Sequence, residues 1–187
     1  GIRDDLVTGV RVLFRSKSET VSSTEIDLLF FTFAWRNKLN ANTPTTQQKR
    51  QLDKKVDELY RWLIDFCKSY PERKVLIKAK SERNEEYVAI QTRVLEAREK
   101  GDELENLSIT FDADVEGLIV SSRKILSFSS TTLVEALLAG KEVGSPDFRS
   151  IMKSPFWNIF EGYDDLLHYI DSEKDLARWV FSEDEVR

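Results

Sequence analysis

Cysteine is nearly absent from this chain: Cys67 stands alone among 187 residues. No internal disulfide can form, and a reducing compartment is the simpler setting. Histidine is as scarce, and His168, with no second His or Cys nearby, is a poor zinc ligand. No apolar run approaches the roughly 18 residues that a membrane span needs. Residues 28–31 (LLFF) are among the longest and suit a strand. The first fourteen residues mix charges throughout and do not read as a signal peptide. A basic surplus is missing too. The net charge of −5 argues against sequence-independent nucleic-acid binding, which needs a basic face, so nucleic acid is not an expected partner.

What is present is ordinary for a globular protein: 41% hydrophobic and 33% charged residues. The length suits one domain that buries about 70% of its unfolded surface, enough for a core without staples. Residues 26–34 (IDLLFFTFA) are β-branched, aromatic and too few for a buried helix, so they predict a first strand. From residue 46 to 70 the period changes. Leu52, Val56, Leu59, Tyr60, Leu63, Ile64 and Cys67 form one apolar stripe, and Pro71 stops the helix. Residues 74–78 (KVLIK) predict strand two, and 85–100 a helix with Val88, Ile90, Val94 and Leu95 inward. Strand three falls at 107–111, a short helix at 115–123 and strand four at 124–128 (KILSF). A helix at 131–139 ends at Gly140, a residue suited to the left-handed stop, and strand five begins at 142–144. Helices are expected near 163–170 and 173–181.

Strands alternating with helices predict an α/β, Rossmann-like three-layer domain with a five-stranded parallel sheet, order 3-2-1-4-5, plus C-terminal helices. Residues 26–187 form that domain, and residues 1–25 read as a lead-in, with 10–14 a possible strand and a Ser-rich turn after it. The start at Gly1 rather than Met suggests a trimmed chain or part of a larger one. In this strand order the winding reverses between strands one and four, and open α/β sheets bind ligands outside the carboxyl ends at that reversal. Residues 35–38 and 129–132 are therefore the loops of interest.

Ser129, Ser130, Thr131 and Thr132 stand where strand four meets its helix. One hydroxyl suffices for a helix cap. Four in a row, beside unpaired backbone N–H groups, suit an anion such as phosphate. Glu135, one turn after Thr131, can accept hydrogen bonds from ribose hydroxyls; a solvated acid favouring the helix N-terminus is the plainer explanation. Lys78 and Lys80 at the end of strand two are weaker phosphate candidates. Asp112 and Asp114 spell the Asp-x-Asp with which GT-A transferases hold a metal, yet they precede a helix where Asp is a favoured cap. No metal is expected. His168 reads as a helix-surface histidine, and Phe156, Trp157 and Phe160 as packing residues rather than a stacking platform.

The stretch SFSSTTLVEALLAGKEV, residues 127–143, resembles the C-terminal, donor-binding domain of GT-B glycosyltransferases, above all those of bacterial capsule and surface-polysaccharide synthesis. A looser likeness covers residues 26–147. The resemblance implies a nucleotide-sugar donor as substrate, phosphate at Ser129 to Thr132, ribose or base at Glu135, and no cofactor. It also implies basic residues after strand one against the donor phosphates, here Arg36 and Lys38. Two positions depart from the family. Ser127 stands where retaining members often carry a second Glu, and Lys78-Ala79-Lys80 stands where relatives show Lys-Pro-His. No catalytic residue can be named. The expected role is the donor-binding part of a larger two-domain transferase acting on a saccharide or lipid-linked acceptor. A missing N-terminal domain would be its partner, in the cytoplasm or at the inner face of the membrane. The alternatives are a non-catalytic α/β interaction module and a nucleotide-sugar epimerase-like enzyme.

Overall fold

The computed structural model describes residues 25–33, 46–81, 85–151, 160 and 162–182. Chain order is β1 (Ile26–Phe31), α1 (Thr46–Ser69), β2 (Val75–Lys78), α2 (Glu85–Glu99), β3 (Leu107–Thr110), α3 (Val115–Val120), β4 (Ser122–Leu126), α4 (Thr131–Leu138), β5 (Glu142–Pro146), β6 (His168–Ile170) and α5 (Glu173–Phe181). All six strands are parallel, in the order β3-β2-β1-β4-β5-β6.

β1 shows why its sequence is apolar without alternation. Leu28 and Phe30 enter one core with α1, α2 and α5, while Leu29 and Phe31 enter a second with α3 and α4. A central parallel strand has no wet face. The expected stripe of α1 is buried in full, with Phe66 added. The end of α1 is closed by Asn106, whose side-chain amide donates to the carbonyls of Cys67, Tyr70 and Arg73 at 2.9–3.1 Å. Burial pushes the Cys67 thiol up to about 12, which makes it an unreactive core residue.

Two expectations need correction. The segment at 163–170 is not a helix: a single 3₁₀ turn, Asp164–Leu166, leads into β6, which makes the sheet six-stranded rather than five-stranded. Its three residues are too few to show a period, and edge pairing with β5 decides their state. His168 therefore lies on a strand. In α2, Val88 and Leu95 are exposed, and the inward line is Glu86, Ile90, Val94 and Ala97, which a helical repeat of 3.6 places on one side. α5 buries Leu176, Trp179 and Val180 in the core, Phe181 meets Phe66 and Tyr70 of the α1 end, and Tyr163 and Leu166 remain exposed.

Candidate functional site

β1 and β4 are neighbours, and the chain winds away from them in opposite directions. The carboxyl ends of these two strands define the crevice where open α/β sheets take ligands. Two contacts hold its floor. Ser127, fully buried, donates from Oγ to the Phe31 carbonyl at 3.0 Å, and its backbone N–H donates to the Gly144 carbonyl at 3.2 Å. The position that departs from the retaining-enzyme pattern thus joins β4 to both neighbouring strands. Above it, Phe33, Phe128 and Phe148 pack on one another with ring centroids 4.9–5.9 Å apart. Each belongs to a different loop, so this triad brings the segments after β1, β4 and β5 to one place.

The hydroxyl loop follows Phe128 directly. Ser129 is buried and has φ of 44°, the one positive φ outside glycine among the described residues. That backbone region costs a serine roughly 1–3 kcal/mol, and such residues concentrate at functional sites. Ser130 is the N-cap of α4, its Oγ accepting from the Thr132 N–H at 3.3 Å. One of the four hydroxyls therefore performs the capping that a helix needs. Thr131 is exposed and Thr132 half-buried, because Leu133 and Ala136 take the core face of α4. Glu135 is exposed on the side of Thr131, as their spacing of four requires.

Lys78 is buried at the end of β2, and its Nζ donates to the carbonyls of Ala79 and Phe111 at 2.9 and 2.6 Å. It closes the turn between strand ends. Lys80 is exposed beyond it. Arg36, Lys38, Phe156 and Trp157 lie outside the described residues. Asp114 caps α3, its Oδ2 accepting from the Gly117 N–H at 3.0 Å. Among the described residues no three His, Cys, Asp or Glu side chains gather as a metal site would require. His168 stacks on Trp179, centroids 5.8 Å apart and planes 6° from parallel, with Nε2 3.4 Å from Asp175 Oδ1. Phe160 is buried in the α3–α4 core, as a packing residue should be.

Two features of this edge were not read from the sequence. Phe111, at the end of β3, is 39% exposed and meets Tyr87 edge-on at 5.7 Å, so part of its ring faces outward. Asp147 and Arg149 lie after β5. Arg149 hydrogen bonds to the Asp147 side chain and holds that carboxyl below the usual range. A lone aromatic or an Asp-x-Arg carries no local signal. A groove of about 580 Å³ between α1 and α2 and another of about 480 Å³ at the amino ends of the strands lie elsewhere. The first is lined by Asp53, Asp57, Glu85, Glu86 and Glu96 against two basic residues, a poor setting for phosphate.

The fold is shared with solved structures. A Listeria monocytogenes protein assigned as a UDP-N-acetylglucosamine 2-epimerase aligns with 95% of this chain at TM-score 0.57 and 13% identity. The S. aureus MnaA–UDP structure aligns with 96% at TM-score 0.57 and 16% identity. The Methanocaldococcus jannaschii UDP-GlcNAc 2-epimerase in complex with UDP-GlcNAc and UDP aligns with 92% at TM-score 0.50 and 11% identity. The chain has a GT-B-like fold. This GT-B-like domain spans only 41–44% of the length of those proteins, so it corresponds to part of each. No protein-family model matches the GT-B-like chain, and no curated protein matches it significantly. Among its described residues no helix is long and apolar enough to cross a membrane.

Proposed function

We propose that the chain binds a nucleotide sugar as the donor half of a GT-B-type glycosyltransferase of surface-polysaccharide synthesis. It would work in the cytoplasm, at the inner face of the membrane, with a second domain supplying a saccharide or lipid-linked acceptor. The observation that carries this reading is the strained serine loop: Ser129, with φ of 44°, turns the chain into the N-terminus of α4 at the strand-order reversal. There the backbone N–H groups and hydroxyls favour a diphosphate. Glu135 lies one turn on for the ribose. The transferase assignment rests on the likeness of residues 127–143. An epimerase-like enzyme is the second reading, favoured by the alignments with the L. monocytogenes and M. jannaschii proteins. Catalysis in either would owe much to stabilising the departing nucleotide.

Thermal shift with a panel of nucleotides and nucleotide sugars is the direct test, because a ligand that binds only the folded state raises Tm by mass action. A rise with uridine diphosphate or its sugars is expected. No rise with any nucleotide would leave the non-catalytic interaction module as the better reading. By calorimetry, Ser130→Ala should cost about 1 kcal/mol of affinity for UDP. Glu135→Ala should weaken UDP relative to its 2′,3′-dideoxy analogue. Unchanged affinities in both variants would reduce the loop to a helix cap.

Binding is proposed to need no metal, with protein groups alone meeting the phosphates. An EDTA-treated sample should bind UDP as tightly as one given magnesium. Loss on chelation, restored by magnesium or manganese, would return Asp112 and Asp114 to the site.

A further inference from the structure

One polar atom at the crevice is buried without a use in the fold. Among the described residues, Thr32 Oγ1 is closed off from solvent and has no hydrogen-bond partner. Burying a hydroxyl unpaired is costly, and such an exception in a folded chain calls for an explanation. The backbone of Thr32 is engaged: its N–H donates to the Lys78 carbonyl at 3.0 Å, which carries the β1–β2 ladder one step further. Its neighbours fix where it lies. The Phe31 carbonyl before it accepts from Ser127 Oγ at 3.0 Å, and the Phe33 ring after it packs on Phe128 at 5.4 Å. Thr32 is thus held between contacts to the two residues that lead into Ser129, at the carboxyl end of β1 where the strand order reverses. The residue as a whole is only half-buried, so part of it reaches the surface there.

We propose that Thr32 is a ligand-binding residue of the nucleotide site, its hydroxyl donating to a phosphate oxygen of the bound nucleotide sugar. The inference rests on the nucleotide-sugar reading and adds to it a residue from the strand beside β4. A threonine hydroxyl donates one hydrogen bond and turns about a single torsion, χ1. No bond holds Oγ1 in the free protein, so turning it toward a ligand breaks none. A phosphate at the N-terminus of α4 would stand beside the end of β1, because Phe31 and Phe33 are tied to Ser127 and Phe128. A hydrogen bond to an ionised oxygen is roughly twice as strong as one between neutral groups. Here it would also relieve a donor that the fold leaves unpaired. A hydroxyl kept only to fill space would be replaced without loss by valine, which has nearly the same shape.

The test pairs urea unfolding with calorimetry on the 187-residue chain, comparing the parent with Thr32→Val and Thr32→Ser. Without ligand, Thr32→Val should unfold at an equal or higher urea midpoint, since it removes a buried group that has no partner to lose. With UDP it should bind about tenfold more weakly, as loss of a charge-assisted bond does. Thr32→Ser keeps the hydroxyl and should hold most of the affinity. Uridine, which has no phosphate, should not distinguish the parent from Thr32→Val. An equal loss for uridine would put the hydroxyl on the nucleoside and overturn the assignment to phosphate. A lower midpoint for Thr32→Val would reveal a structural partner and overturn the proposal. If Thr32→Val binds UDP as the parent does, the proposal is overturned while the nucleotide reading stands. If the parent binds no UDP, the nucleotide reading fails and this one with it.

Discussion

Trp179→Ala is expected to destabilise the fold by about 3–5 kcal/mol, the range for truncating a buried aromatic. The side chain is 3% exposed. It stacks on His168 from β6, lies 5.8 Å from the Lys124 ammonium above its ring, and touches the backbone of β5 at Gly144. Truncation would empty the space between α5 and the last three strands. It would also uncover Lys124, a fully buried cation bonded to Glu142 and to the Ser182 hydroxyl. Gly144 tests the same contact from below. A Cβ there would stand 2.7–3.1 Å from three atoms of the Trp179 ring, and a rigid ring cannot yield as a flexible tip would. Gly144→Ala should therefore cost about 1–3 kcal/mol as overpacking. Combined with Trp179→Phe it should cost less than the sum of the two, because the substitutions share one contact. Urea unfolding reads these effects as a lower midpoint at unchanged slope. A neutral Gly144→Ala would contradict the packing of α5 described above.

The second large effect concerns turnover. Given a nucleotide sugar that it binds and a suitable acceptor, this chain alone should transfer no sugar at a rate near that of a longer chain with the partner domain. It spans 41–44% of the length of the proteins whose fold it shares, and on the proposed reading its residues would serve the donor alone. Holding two reactants in attack geometry is worth roughly 7–11 kcal/mol of barrier. A half-site that grips one reactant forfeits most of that and leaves the bound donor open to water. The measurement is product formed per chain, side by side for the two lengths. Equal rates would mean that the cleft is complete within these residues.

How legible was the site? The hydroxyl loop stood out because four small polar residues between a strand and a helix exceed what capping requires. Its depth did not. Nothing local distinguishes the strained, buried Ser129 from the capping Ser130 or the exposed Thr131. Lys78 read as a basic residue at a strand end, whereas its ammonium is committed to two backbone carbonyls, one of them 33 positions away.

The amino-acid pattern alone specified the alternation of strands and helices, the apolar run of β1 and the stripe of α1. Those properties are local: each is written in the spacing of residues within a few turns or one strand. Tertiary structure alone decided β6, the inward line of α2, the close approach of Trp179 to Gly144, and the meeting of Phe33, Phe128 and Phe148. It also decided that Arg149 lies clamped between Asp147 and Tyr169. These depend on pairings between residues tens of positions apart, whose energies exist only once the sheet has closed. A short edge strand or a single arginine has no period of its own, so only its neighbours in space can give it a role.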